Sequence, residues 1–242
     1  MKGNLNIQAC RHRKGACGRR EDAFTLIELL VIVTCIILLL GIAGPASQKA
    51  YELVGKRISI AYIHQIEHGV EVYKTDFGNY PPSAKGANGH LPDWQGAELL
   101  VLLMTGYAGD ANDDGAPGND FSTDDGCSGS GFRTILRGQV CGPYVEVDRL
   151  PFVSRDEGGT TRRTFLDKFQ NSILYYRFDT TSSAYRGDDN TGLNPPADIN
   201  AYAKSGTVYL RMDYLLISKG LDKQWQTASG AAADDITNMK AD

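Results

Sequence analysis

REDAFTLIELLVIVTCIILLLGIAGP, residues Arg20 to Pro45, is the stretch on which the reading of this chain turns. A charged cluster abuts an apolar run that begins sharply at Phe24, and Glu28 is the only charge between Phe24 and Gly44. That run is 21 residues long, and about 20 apolar residues of helix cross a bilayer core. A carboxylate at membrane depth costs about 2.5 kcal/mol or more and usually marks function. Before the run stand six Lys/Arg (Lys2, Arg11, Arg13, Lys14, Arg19, Arg20) against Glu21 and Asp22. Such a basic flank holds an N-terminus in the cytoplasm and sends the following body across the membrane. An ordinary signal anchor, or a secretory signal cut near the small residues GIAGP, has the same outline. Neither explains Glu28 or the abrupt Ala23–Phe24 boundary.

The decamer Phe24-Thr25-Leu26-Ile27-Glu28-Leu29-Leu30-Val31-Ile32-Val33 closely resembles the N-terminal signature of type IV pilins and type II secretion pseudopilins. The resemblance implies cleavage between Ala23 and Phe24 by a prepilin peptidase, on the cytoplasmic side, with N-methylation of Phe24. Residues 1–23 are then a leader, and 24–44 a membrane helix that becomes filament core. The family usually has Gly before the cut, where this chain has Ala23. Cleavage frees an α-amino group with a reference pKa of about 7.7–8. Glu28 of one subunit then has a cationic partner in the Phe24 amine of its neighbour. A buried charge is tolerable when paired and costly when not, so Glu28 is expected to favour assembly and set the subunit register.

Past Pro45, the residues Ile63, Ile66, Val70, Tyr73 and Phe77 recur at three- and four-residue steps, the period of an amphipathic helix. One long helix is therefore expected from Thr25 to about Asp76, ended by Gly78, Pro81 and Pro82. YKTDFGNYP resembles a stretch of major pseudopilins. DWQGAELLVLLMTG, Asp93–Gly106, predicts a short helix with Asp93 as N-cap. Residues 106–165 are expected to be a loop-rich insertion, most strongly the Gly/Asp/Asn-rich part to Gly131. SILYYRF (172–178) and TVYLRMDYLLIS (207–218) predict antiparallel strands, with a loop between them. The expected class is α+β: a long N-terminal helix, membrane-spanning in its first half, packed on a small antiparallel sheet in a pilin-like body over 45–242. LDKFQNSILYY, through Asp167, Phe169, Asn171 and Tyr175, resembles the D-P-W-G-N-P-Y-x-Y stretch before a pseudopilin strand, with Lys168, Gln170 and Ser172 at its Pro and Gly positions.

The net charge is −4, with a basic N-terminal segment and an acidic remainder. That balance lacks the basic footprint of a nucleic-acid binder. Of five cysteines, Cys127 and Cys141 lie in the body, where a disulfide is permitted if the body is outside the cytoplasm. Cys10, His12 and Cys17 match no zinc spacing well.

Three stretches offer metal chemistry. His64-Gln65-Ile66-Glu67-His68 fits H-x-x-E-H, an inverted zinc-peptidase pattern, and competes with the polar face of a stem helix. Asp110, Asn112 and Asp114 open a D-x-N-x-D-G calcium loop, but its twelfth position is Phe121 rather than a bidentate carboxylate. The tail SKGLDKQWQTASGAAADDITNM resembles the calcium loop of major pseudopilins through Ser218, Gly220, Asp222, Asp234, Asp235, Ile236 and Asn238, with Lys223 at a usual Gly. Carboxylates of Asp222, Asp234 and Asp235 suit a hard cation, against the alternative of an acidic frayed tail.

No nucleophile elbow or phosphate loop is present, and four histidines leave little for general-base chemistry. The expectation is a non-enzymatic filament subunit of a type II secretion pseudopilus, held in the bacterial inner membrane until it polymerises. The resemblance implies calcium as its cofactor. It implies further copies of the chain, minor pseudopilins, the prepilin peptidase and the inner-membrane assembly platform as partners. An adhesive or motility pilin is the alternative, and a membrane-anchored zinc hydrolase using His64, Glu67 and His68 a remote one.

Overall fold

A computed structural model describes residues 25–83, 94–106, 132–133, 140–146, 148–157, 160–205, 207–225 and 234–239. The chain divides into two compact units, Met1–Gln48 and Lys49–Asp242. Helix α1, Leu26–Phe77, contributes to both, close to the expected span.

In the first unit, α1 presents apolar side chains on every side. Leu26, Ile27, Leu38, Leu40 and Ile42 are all exposed, Leu26 by 83%. An eighteen-residue stretch has mean hydropathy 3.0 and none of it is buried. Covering a large apolar side chain is worth roughly 1.5–3 kcal/mol, so an uncovered run of them marks a surface suited to contact with lipid or protein. By length and composition this segment suits a membrane anchor or a signal sequence.

The second unit is α+β. After the remainder of α1 come α2 (Gly96–Thr105), β1 (Phe132–Arg133), β2 (Val140–Cys141), β3 (Phe152–Glu157), β4 (Thr160–Phe165), β5 (Leu174–Asp179) and β6 (Ala184–Tyr185). A 3-10 turn (Gly187–Leu193), α3 (Asn200–Ala203), β7 (Lys204–Ser205), β8 (Val208–Tyr209), β9 (Tyr214–Ser218) and β10 (Ile236–Thr237) complete the order. The main sheet runs β10-β9-β5-β6, and β5 pairs antiparallel with β9, Tyr175 opposite Leu216 and Tyr176 opposite Leu215.

Strand side chains alternate between faces, and both faces are covered. Tyr175, Tyr214, Leu216 and Ile236 join Ile63, Ile66, Val70 and Tyr73 of α1 in one core. Leu174, Tyr176, Leu215 and Ile217 join Ala97, Tyr185, Ile199 and Ala203 in a second. Burial on both sides explains why β9 reads as the continuous run YLLIS.

Several expectations need correction. α2 begins at Gly96 with Gln95 as N-cap, not Asp93; the Gln95 N–H donates to Glu98 Oε2 at 2.9 Å, the return half of a capping box. Within the expected loop-rich insertion, β3 pairs antiparallel with β4 from Phe152↔Phe165 to Glu157↔Thr160. The pair is tied to α2 by Arg155 Nη2 on Glu98 Oε1 at 2.8 Å, with Arg162 on Glu98 Oε2 at 3.7 Å. Residues 181–206, also expected as loop, supply β6, the 3-10 turn, α3 and β7, whose Tyr185, Ile199 and Ala203 cover the second sheet face. The expected strand 207–218 is two, β8 and β9, separated by residues 210–213.

Candidate functional site

At the start of α1, Thr25 and Glu28 form a reciprocal cap. The Thr25 N–H and hydroxyl donate to Glu28 Oε2 at 2.9 and 2.8 Å, and the Glu28 N–H donates to Thr25 Oγ1 at 3.3 Å. This is a capping box, legible in T-x-x-E but absent from the expectations above. It gives Glu28 an intramolecular role at the helix terminus, where a carboxylate also complements the helix dipole. Ala23 and Phe24 lie outside the described residues.

The C-terminal loop is organised around Asp167, which is fully buried. Its Oδ1 accepts the N–H groups of Phe169 and Asn171, each at 2.8 Å. Its Oδ2 accepts Asn171 Nδ2 at 3.0 Å and Ser218 Oγ at 2.7 Å. Four donors on one carboxylate satisfy a charge that would otherwise be costly to bury. Asn171 Nδ2 also donates to the Gly220 carbonyl at 2.6 Å, and the Lys168 N–H donates to Ser59 Oγ at 3.0 Å. Phe169 packs its ring onto Gly55, where a Cβ would collide with it. The short segment Asp167–Asn171 thus joins the helix to the loop that leaves β9.

That loop bends at Gly220, with φ +69°, and a Cβ there would strike the Asp234 carbonyl. The Asp222 N–H donates to Asp234 Oδ2 at 2.8 Å, and Asp222 Oδ1 accepts the Gln224 N–H at 2.8 Å. Asp222 and Asp234 are therefore neighbours. Asp235 is drawn elsewhere: it is buried, and its Oδ2 accepts the Tyr202 hydroxyl at 3.0 Å. Burial and then the Asp235 charge hold the Tyr202 phenol well above its ordinary pKa. Among the described residues no group of three His, Cys, Asp or Glu is arranged around a metal. Among the described residues, Asp222 and Asp234 are the two carboxylates of the expected set that meet; residues 226–233 of the same loop lie outside the described residues.

Asn238 secures the tail. Its Oδ1 accepts the Leu216 N–H at 2.9 Å, and its Nδ2 donates to Glu67 Oε1 at 3.1 Å. The same Glu67 oxygen accepts Arg211 Nη1 at 2.8 Å. Within the H-x-x-E-H stretch, then, Glu67 faces the body and is ion-paired, while His64 and His68 are exposed. Asp110, Asn112, Asp114 and Cys127 lie outside the described residues. Cys141 is half-buried in β2.

No protein-family model matches the chain, and no curated protein or solved structure matches it significantly.

Proposed function

We propose that this chain is a filament-forming subunit, closest in character to the major pseudopilin of a type II secretion system. The observation that carries the reading is the wholly uncovered apolar start of α1 headed by the FTLIE sequence. In this account a prepilin peptidase removes residues 1–23 and methylates Phe24. The helix anchors the subunit in the inner membrane, with the N-terminus cytoplasmic and the body periplasmic, until it enters a pseudopilus with other copies of itself. Minor pseudopilins and the assembly platform would be its further partners. Two features of the body support it. Asp167, Phe169, Asn171 and Ser218, each matched to a pseudopilin stretch by sequence alone, meet in one hydrogen-bonded and packed junction. Gln170 and Lys223, which replace glycines of those stretches, both have positive φ, 68° and 61°.

Calcium at Asp222 and Asp234 belongs to the same proposal; bound there, it would tie the tail to the β9 loop. A pilin for adhesion or motility shares the helix and the processing. Filament imaging after overexpression, with comparison of exported proteins and surface adhesion in a deletion strain, tests the reading. Loss of export with adhesion intact is expected. Loss of adhesion alone favours the pilin, and neither loss refutes both.

A further inference from the structure

A cleft of about 480 Å³ opens on the second unit between the 81–83 segment, the end of β5 and the 3-10 turn. That volume lies in the range of small-ligand sites. Its buried floor is Ser83 and Asp189, each 2% exposed. Ser83 Oγ donates to Asp189 Oδ2 at 2.6 Å and accepts the Arg177 N–H at 2.8 Å, so the floor is held by the sheet. Phe178 adds an apolar wall, and Thr180 and Thr181 add hydroxyls at the rim.

Arg177 and Arg186 both line this cleft, and the charge of Arg177 also acts on the Tyr73 and Tyr175 phenols. Neither guanidinium makes a hydrogen bond or ion pair among the described residues, although Arg177 is only partly exposed. Of the nearby carboxylates, Asp189 feels the charge of Arg186 without forming an ion pair with it. Asp179 turns its oxygens onto the Thr181 N–H and the Ser182 hydroxyl, at 2.8 and 3.0 Å. Asp189 is engaged by Ser83, and burial pushes its carboxyl above the usual range. Unsatisfied guanidiniums recognise a carboxylate by paired, charge-assisted hydrogen bonds. A buried aspartate beside them accepts from hydroxyls.

We propose that this cleft binds a hydroxylated carboxylate of monosaccharide size, a sugar acid, with Arg177 and Arg186 on its carboxylate and Asp189 accepting from its hydroxyls. Either a free sugar acid or one residue of an acidic polysaccharide carries that chemistry. The inference does not depend on the filament reading.

The test is a ligand-observed NMR titration of the full detergent-solubilised chain with D-galacturonate, its trimer and D-galactose. Saturable binding of galacturonate, with none of galactose, is expected. A trimer that binds more tightly identifies the polysaccharide as source; equal affinity identifies the free sugar acid. Arg177→Ala and the solvent-exposed Arg186→Ala should each weaken binding about tenfold or more, with unchanged circular dichroism and Tm. No saturable binding of galacturonate overturns the proposal. So does equal binding of galactose, or unchanged affinity in both folded arginine variants.

Discussion

Glu28 reaches back one helical turn and accepts both the backbone N–H and the hydroxyl of Thr25 through the same oxygen. In the single subunit, therefore, its carboxylate is a helix cap. Capping and charge pairing with a neighbour's Phe24 amine make different demands. A glutamine at the third helical position also completes a capping box, but carries no charge. Glu28→Gln should preserve the helix and membrane insertion while abolishing filaments as completely as Glu28→Ala. Filament yield by electron microscopy, set against membrane levels by immunoblot, reads this. Wild-type filaments from Glu28→Gln would reduce Glu28 to a cap.

Asp167 is the acceptor on which the body's loops converge. Removing it leaves the Phe169 and Asn171 N–H groups and the Ser218 hydroxyl without their partner, while the Asn171 amide keeps the Gly220 carbonyl. Asp167→Ala is expected to cost at least about 3 kcal/mol, since each orphaned buried donor costs about 1–3 kcal/mol. Asp167→Asn, which keeps one acceptor oxygen, should cost less than half as much. Thermal unfolding followed by circular dichroism measures both. A loss under 1 kcal/mol in Asp167→Ala would remove Asp167 from its organising position.

Gln170 and Lys223 both sit in left-handed backbone, which costs a non-glycine residue about 1–2 kcal/mol. Glycine relieves this and gives back about 0.5–1 kcal/mol in chain entropy. Gln170→Gly and Lys223→Gly should therefore each stabilise the protein by about 0.5–1 kcal/mol, or roughly 1–4 °C in Tm for a chain of this size. Both side chains are exposed, so little packing is lost. A fall in Tm for both would mean these loops do not hold the described conformation.

Calcium binding should raise Tm, by about 2.7 kcal/mol of stability at a hundredfold excess over Kd, and chelation should reverse it. Asp222→Ala and Asp234→Ala should abolish the shift. Asp235→Ala should lower Tm with or without calcium, through loss of the Tyr202 contact, yet keep the calcium-dependent rise. The opposite pattern would return Asp235 to the ligand set.

The stem helix was legible because Ile63, Ile66, Val70 and Tyr73 keep a helical period across a long segment. Strands β5 and β9 were legible because they are dense in aromatic and aliphatic residues. The β3–β4 hairpin was not, since FVSRDE and TTRRTF are largely polar. Their apolar contribution is concentrated in the Phe152–Phe165 end, and their hold on α2 runs through arginines onto one buried glutamate. The Gly158-Gly159 dipeptide between them was the available hairpin signal. Residues 181–206 hid their role because Tyr185, Ile199 and Ala203 are too widely spaced to show a period. At the C-terminal loop, the resemblance to a pseudopilin calcium loop grouped three aspartates. The contact of Asp235 with the Tyr202 hydroxyl joins residues 33 apart and has no local signal. The cleft of Ser83, Arg177, Arg186 and Asp189 draws on three segments and has no local motif at all.

The N-terminal sequence and intact mass of the protein isolated from membranes test the central claim most directly. A mature chain that begins at N-methylated Phe24 and retains the whole apolar helix is expected. A chain beginning at Met1, or after the apolar run, would contradict it and leave a signal anchor or an ordinary secretory signal in place of a filament core.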